Sequence, residues 1–319
     1  MKYDVITSGY CSMDRIIRIN PMAKIGKTSI VQNDDNANIR YGGCGINVAT
    51  SLSRLNKKTL PIIRVGEDYE SNGFKAFLET EKISTEATKK ISGVGTSGCY
   101  LIENPSSDHM TLFYPGAMSD KYFNHYDSKW FFESKLALMT VASKTDNEYF
   151  LKETLNHNLP LFFGSKMDKS AFPPRFIKRI ISSCTGVFAN EKESEYIRTS
   201  MKTENLKELF KTIPKLDFII ITKGKLGSYA MVREGEQIEE YSVPIVPAKK
   251  FVDAVGSGDA YIAGFLYGYL EKKTVKECMQ YGATLASFVI EGMGATTTAP
   301  SISNLENRYQ ISFLQGDIK

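Results

Sequence analysis

The sequence has few of the residues that build disulfide frameworks and histidine-based metal centres. Its five cysteines are scattered without a Cys-x-x-Cys pair, and its three histidines lie far apart with no ligand spacing. Dispersed cysteines in odd number are typical of reduced thiols, and separated imidazoles argue against a zinc site. We therefore expect a cytoplasmic protein without disulfides and without a metal centre built on histidine.

A long apolar run and a strong charge imbalance are also absent. No segment approaches the length of a membrane span, and charged Lys2 and Asp4 lead directly into a strand-like segment rather than a signal peptide. The net charge of +4 is small for 319 residues, which argues against binding to nucleic acid or to a membrane surface. Hydrophobic content of 42% is that of a soluble chain able to bury a sizeable core.

Short apolar segments alternate with helical ones from residue 59 onward. This pattern predicts an α/β fold of three αβα layers around a mostly parallel central sheet. We find no repeat or linker, so residues 1–319 are predicted to form a single domain. The predicted strands are 60–65, 136–141, 159–164, 185–189 and 218–222, and the predicted helices between them include 71–81, 147–155 and 204–212.

Two β-rich segments stand outside this alternation. Residues 15–41 contain β-branched residues separated by turn formers, and a hairpin is predicted over residues 97–114 around a turn at 104–108. We expect segments of roughly 15–41 and 96–115 to form a small β-sheet lid. Its exposed edges make a homodimer plausible.

A stretch near the C-terminus carries the strongest chemical signal. A strand-like run at Lys250 leads through Gly256-Ser257-Gly258 to Asp259, and a helix follows. Amides at a helix N-terminus bind anions, so Asp259 could take a proton from a hydroxyl while the amides hold a phosphoryl group. The same carboxylate could serve only to complement the helix dipole. The apolar face predicted for this helix consists of Ile262, Phe265, Leu266 and Tyr269.

Glycines also precede an early predicted helix. Gly42 and Gly43 would let the backbone approach a ligand, and Asn47 lies in the first turns of that helix. Asp14 follows the first predicted strand, where α/β sheets collect ligands, although it could equally be a turn former. Neither a P-loop nor a dinucleotide-binding glycine fingerprint is present, since Pro21 stands where the first P-loop glycine would be.

Two later strand ends carry polar groups. Asn190 and Glu193 are three residues apart and would share one side of a helical turn. Thr222, Gly224 and Gly227 follow the next strand, and this backbone could wrap a phosphate or a ribose. Each feature taken singly could be purely structural.

Together these motifs resemble the ribokinase-like (PfkB) family of carbohydrate and nucleoside kinases. The family's Gly-Gly-x-x-x-Asn motif stands here as residues 42–47, Asn-x-x-Glu as 190–193, Thr-x-Gly-x-x-Gly as 222–227, and Asp-Thr-x-Gly-Ala-Gly-Asp as 253–259. In the last motif Ala254 replaces Thr and Ser257 replaces Ala. Both substitutes are small, so an anion hole made of backbone amides should survive them.

The resemblance implies a role for each motif. Asp259 would be the general base, and the amides of Gly256, Ser257 and Gly258 would form the anion hole. Glu193 would hold Mg²⁺ through water. The resemblance further implies that ATP is bound by Asn190, Thr222, Gly224 and Gly227, that the acceptor is bound by Asp14, Gly42, Gly43 and Asn47, and that K⁺ could bind near Asp253 and Val255.

The small-molecule acceptor is less clearly specified than the reaction. Ribokinases tend to carry Lys where this chain has Cys44, and residues 112–118 look like an adenosine kinase-like group. Phe113 could then stack on a base, or it could be part of the hairpin core. The sequence favours a nucleoside kinase acting on a 5′-hydroxyl, with a kinase of a furanose or ketose as the alternative. A non-catalytic binding module of the same fold would have no reason to keep Asp259.

Overall fold

A computed structural model describes residues 1–104 and 109–315. Its strands and helices are numbered in chain order. Fourteen strands lie within the described residues: β1 (Tyr3–Thr7), β2 (Ser12–Arg18), β3 (Arg40–Gly42), β4 (Thr59–Pro61), β5 (Ile63–Val65), β6 (Thr88–Lys90), β7 (Gly98–Glu103), β8 (His109–Tyr114), β9 (Ser134–Met139), β10 (Leu161–Gly164), β11 (Gly186–Asn190), β12 (Phe218–Thr222), β13 (Ser228–Glu234) and β14 (Gln237–Val243). The α-helices of the same ranges are α1 (Cys44–Arg54), α2 (Phe74–Thr80), α3 (Lys129–Phe132), α4 (Lys144–Asn156), α5 (Pro174–Ile181), α6 (Glu191–Met201), α7 (Leu209–Thr212), α8 (Ser257–Leu270), α9 (Val275–Val289) and α10 (Ile302–Tyr309).

The central sheet has eight strands in the order β14-β13-β12-β11-β10-β9-β1-β4. From β12 to β4 the strands run parallel, whereas β13 and β14 form an antiparallel hairpin at one edge. The predicted mostly parallel sheet is confirmed. The edge hairpin was not predicted. Its turn contains Gly235 with φ +62°, a conformation that favours glycine.

Helices cover both faces of this sheet, as the three-layer prediction requires. Side chains of α4 to α7 form one buried cluster, and those of α1, α8, α9 and α10 form another. Successive residues of a strand point to opposite faces, so Ile219 belongs to the first cluster and Ile220 to the second. Both faces of the parallel part of the sheet are therefore buried, which explains why these strands are mainly apolar.

A second sheet of four strands, in the order β3-β2-β7-β8, lies apart from the first. It contains parts of both predicted lid segments. Between β2 and β3 the chain forms a bridge of Ile19 with Val31 and a 3₁₀ turn at Asp34–Ala37, rather than several further strands. Of the predicted hairpin turn, residues 105–108 lie outside the described residues.

Several predicted elements have different bounds in the structure. The predicted strand at 60–65 is two strands, because β4 joins the central sheet while β5 pairs with β6 in a separate sheet. The predicted helix at 204–212 is a 3₁₀ turn, Leu206–Glu208, followed by the short α7. The strand-like run predicted at Lys250 is a loop.

Candidate active site

A cleft lies over the C-terminal ends of β9 to β12. Parallel strands end at one edge of a sheet, so the loops that follow them meet there, and α1 and α8 close the other side. The residues that line the cleft are Cys44, Thr140, Gly164, Ser165, Lys166, Phe188, Ala189, Asn190, Glu193, Thr222, Gly258, Asp259, Tyr261 and Ile262.

Asp259 lies in the first turn of α8 and is 5% exposed. The chain enters the helix through Gly256, whose φ of +78° favours glycine and whose added Cβ would lie 2.4 Å from the Cβ of Ala295. Gly258 is exposed at the cleft, and the amide of Ser257 donates to the carbonyl of Ala254 at 3.2 Å. The helix N-terminus thus presents small residues and one buried carboxylate to the cleft.

The helix α8 is buried on every side, not only on the predicted apolar face. Every residue from 259 to 268 is buried because α1 and α9 pack against the helix. Gly264 allows the closest approach, since its added Cβ would lie 2.4 Å from the carbonyl oxygen of Tyr281 in α9. This packing fixes the position of Asp259.

Asn47 joins α1 to this carboxylate. Its Nδ2 donates to Oδ2 of Asp259 at 2.7 Å, and its own Oδ1 is buried without a partner among the described residues. The helix α1 begins after Gly43, whose φ is +99° and whose added Cβ would lie 1.9 Å from the carbonyl oxygen of Tyr10. A side chain at Gly42 would come within 3.2 Å of Oδ1 of Asn47 and 3.5 Å of Oδ2 of Asp14. The two glycines therefore allow Asp14, Asn47 and Asp259 to converge.

Asp14 lies within β2 rather than in a turn after the first strand. Strand register places it beside Cys99 of β7 and, one strand further, Phe113 of β8. Burial raises the pKa of Asp14, while a hydrogen bond from the Ser12 hydroxyl lowers it. The ring of Phe113 is 43% exposed and meets Tyr10 edge-on with 4.8 Å between ring centroids. A partly buried carboxylate and an exposed aromatic ring thus share one face of the small sheet.

Glu193 and Asn190 form a capping box at the start of α6. The Asn190 side chain accepts from the Glu193 amide at 2.9 Å, and Oε2 of Glu193 accepts from the Asn190 amide at 2.8 Å. Burial raises the pKa of Glu193, while the Asn190 amide and Lys166 lower it. This carboxylate therefore has a structural role as well as a place in the cleft beside Asp259.

The glycine motif after β12 lies at the rim of the cleft. Thr222 lines the cleft, and Gly224 opens a 3₁₀ turn with φ +53° and open space around it. Gly227 closes the turn with φ +83°, and an added Cβ would lie 2.2 Å from the carbonyl oxygen of Val243. The backbone of this turn is accessible, as a nucleotide-binding loop requires.

Asp253 links two loops near the start of α8. Its Oδ1 accepts from the Val255 amide at 2.9 Å, and its Oδ2 accepts from the Gly294 amide at 2.9 Å. Over the described ranges, no group of three His, Cys, Asp or Glu side chains is placed to hold a metal ion. Mg²⁺ arriving with a nucleotide needs no such group, because it keeps several waters and binds through phosphates and one or two carboxylates. The buried Glu193 carboxylate, which lines the cleft, fits that chemistry.

Lys166 is a cleft residue that the sequence analysis did not identify. It follows β10 on the loop Ser165-Lys166, half-buried and beside Cys44, Asp259 and Glu193. The pKa of Lys166 is raised by Cys44, then by Asp259 and Glu193, while burial opposes them. Since burial raises the pKa of the Cys44 thiol to about 12, this thiol is neutral near neutral pH and the carboxylates carry the effect. The strand-end rule that led to Asn190 could have found Lys166.

Comparisons with known proteins agree with this geometry. A family model described as pfkB family carbohydrate kinase matches residues 4–302. The chain is 24% identical over 270 residues to a nucleoside kinase of Methanocaldococcus jannaschii, with 85% of each protein covered. It is 26% identical over 317 residues to a deoxyribokinase of Salmonella typhi, covering 96% of this chain and 98% of the relative.

Solved structures show the same fold. The structure of the Methanocaldococcus jannaschii nucleoside kinase, described as an archaeal member of the ribokinase family, aligns with a TM-score of 0.86 at 22% identity, covering 97% of this chain and 99% of that one. A Burkholderia thailandensis nucleoside kinase in complex with inosine aligns with a TM-score of 0.83 at 19% identity, covering 97% and 98%. The ribokinase-like fold expected from the motifs is confirmed.

Two further findings concern membrane-spanning helices and the cysteines. None of the helices in the described part of the chain is both long and apolar enough to span a membrane. The five cysteines are unpaired, and three of the five are fully buried. The cytoplasmic location remains a prediction.

Proposed function

The chain belongs to the pfkB family of carbohydrate kinases and is thus a phosphotransferase with a hydroxyl acceptor, and we propose that it transfers the γ-phosphoryl group of ATP to the 5′-hydroxyl of an adenosine-like nucleoside. The observation that carries the proposal is the convergence of Asp259, Asn47 and Asp14 beside the N-terminus of α8. A proton acceptor, an anion-binding helix end and an acceptor-binding carboxylate are the parts that phosphoryl transfer to an alcohol needs.

In the proposed reaction Asp259 accepts the proton of the acceptor hydroxyl. The Asn47 amide holds Oδ2 of Asp259 and leaves Oδ1 to take the proton. The backbone amides of Gly256, Ser257 and Gly258 at the α8 N-terminus stabilise the charge on the transferring group, and the Ser257 amide exchanges its bond to the Ala254 carbonyl for one to a phosphoryl oxygen. Because Asp259 is held by α8 and Asn47 by α1, the base is positioned before the substrate binds.

The nucleotide and its ions are assigned to the other half of the cleft. Asn190, Thr222, Gly224 and Gly227 bind ATP, and Glu193 holds Mg²⁺ through water. Support comes from the position of Glu193 and Asn190 beside Asp259 in the lining of the cleft. A K⁺ ion bound by carbonyls near Asp253 and Val255 would brace the loop that precedes α8.

The nucleoside assignment of the acceptor is supported by Phe113. This exposed ring lies on the same face of the small sheet as Asp14, so a base on Phe113 and a ribose on Asp14 would fit one ligand. The nucleoside kinases among the similar proteins are consistent with this assignment. A sugar kinase is the second candidate, favoured by the likeness to a deoxyribokinase along almost the whole chain.

A homodimer through the small sheet is part of the proposal. Tyr100, Met110, Leu112 and Tyr114 are 41–50% exposed, and strand alternation places them on the face opposite Phe113. Light scattering after size exclusion should give twice the mass of one chain. A monomer at micromolar concentration would contradict this assignment.

The test of function is ATP consumption with a panel of acceptors. We expect ADP formation with adenosine and other nucleosides, and little with ribose, deoxyribose, fructose or their phosphates. Product should be identified as the 5′-monophosphate. Asp259→Asn should keep the fold and lose on the order of 10²–10⁴-fold in kcat, because the proton acceptor is removed while the shape is kept. Near-native turnover of this variant would remove Asp259 from its role, and preference for a free sugar would select the second candidate.

A further inference from the structure

The cleft contains a single cationic side chain among its described lining residues, Lys166. Two carboxylates, Asp259 and Glu193, face it from α8 and α6, and the Cys44 thiol faces it from α1. A nucleoside triphosphate is strongly anionic, so a cleft holding two carboxylates would repel it unless positive charge is supplied. The position of Lys166 therefore matters for the proposed reaction.

Lys166 does not form an ordinary structural ion pair. Among the described residues, Lys166 is not one of the lysines and arginines that have a side-chain nitrogen within 4.0 Å of a carboxylate oxygen. The two carboxylates beside it already accept hydrogen bonds from other donors, since Asp259 accepts one from Asn47 and Glu193 accepts one from the Asn190 amide. The ammonium group thus keeps N–H donors for a ligand in the cleft.

We propose that Lys166 is a catalytic residue that contacts the γ-phosphoryl group during its transfer, an inference that rests on the proposed kinase function. Charge spreads over the equatorial oxygens of the phosphoryl group in the transition state. A fixed ammonium group in a partly buried cleft stabilises this charge more than bulk water does.

The step balances without further reagents. The acceptor oxygen forms a bond to the γ-phosphorus, and its proton passes to Asp259. The bond between the γ-phosphorus and the β–γ bridging oxygen breaks, and its electron pair remains on ADP. Lys166 keeps its proton throughout and donates hydrogen bonds to the transferred phosphoryl group.

The test compares Lys166→Met, Lys166→Arg and the control Lys169→Met. Lys169 is exposed on the same loop and does not line the cleft, so its replacement should leave turnover unchanged. Lys166→Met should lower kcat by about 10²–10³-fold, the effect of removing one donor to a developing charge. The KM for the acceptor should change little, and Lys166→Arg should retain more activity than Lys166→Met because it keeps the charge.

Two further readouts make the result decisive. Calorimetric titration with Mg²⁺ and either ADP or a non-hydrolysable ATP analogue needs no acceptor, and Lys166→Met should weaken binding of the triphosphate more than that of the diphosphate. If the wild type phosphorylates no acceptor, the kinase proposal fails, whereas this binding difference still tests Lys166. Equal binding and unchanged kcat would overturn the role of Lys166. Full recovery of the kcat of Lys166→Met at higher pH would also overturn this role, because Lys166 would then act only through the ionisation of Asp259.

Discussion

At the scale of single residues, Asp14 shows how burial prepares a carboxylate for a ligand. It is held between Ser12 and Gly42 with its pKa raised by burial. Asp14→Asn should raise the acceptor KM roughly 10- to 100-fold, the range expected for losing a hydrogen bond to a charged group, with kcat largely kept. Steady-state kinetics with varied acceptor measures this, and an unchanged KM would contradict the assignment.

The same residue has a consequence for stability. A carboxylate whose pKa is raised by folding contributes stability below its unfolded pKa and loses it as the pH rises through its folded pKa. Asp14→Asn should therefore match the wild type in acid and become the more stable protein towards neutral pH. Urea unfolding at several pH values tests this sign. A variant that is less stable near neutral pH would show that Asp14 supports the fold rather than the ligand.

At the scale of single elements, local signals were predictable and pairings between distant segments were not. The Thr-x-x-Glu spacing of Thr274 and Glu277 indicates a capping box, and the structure contains it, because a helix start depends on neighbours within one turn. Asp14 was placed after a strand instead of inside β2, because β2 exists through pairing with β7, far along the chain. The sequence analysis missed Lys166 because its position in the cleft depends on how α8 and α6 pack beside it.

The helix α6 offers a test that separates a structural role from a functional one. Glu193 both caps α6 and faces the cleft. Glu193→Gln can still accept from the Asn190 amide but loses its charge, so we expect near-normal stability and a raised Mg²⁺ requirement. Glu193→Ala should also lose the hydrogen bond from the Asn190 amide, at about 0.5–1.5 kcal/mol of unfolding free energy. Mg²⁺ titration of turnover and thermal unfolding give the two readouts.

A matched control lies on α9. Glu277 makes the same capping box with Thr274, at a more exposed site that does not line the cleft. Glu277→Ala should therefore lower stability as Glu193→Ala does and leave the Mg²⁺ requirement unchanged. Equal Mg²⁺ dependence in both variants would mean that Glu193 is only a cap.

At the scale of the whole molecule, the alternation of apolar strands and helices was enough to predict the three layers. A sheet buried on both faces needs apolar strands, and that signal is strong. The edge hairpin β13–β14 was missed because an antiparallel edge strand alternates in polarity, and the β14 residues are mostly exposed or half-buried. The separate sheets are joined by contacts between residues that are far apart in the chain. The clearest of these contacts is a buried ion pair.

Arg64 of β5 is fully buried and binds Asp146 of α4 through both terminal nitrogens, with 2.8 Å between Nη2 and Oδ2. Its Nε also donates to the Ala117 carbonyl at 2.9 Å.

Asp146→Ala leaves the Arg64 cation buried without its carboxylate and should cost about 3–5 kcal/mol in urea unfolding. Replacing both partners, as in Arg64→Met with Asp146→Leu, should recover much of that loss, since no charge then remains buried. Glu240→Ala, which breaks an exposed pair with Lys207, should cost no more than about 1 kcal/mol. If Asp146→Ala were as mild as this control, the pair would not hold the two-stranded sheet of β5 and β6 to the helix layer of the central sheet.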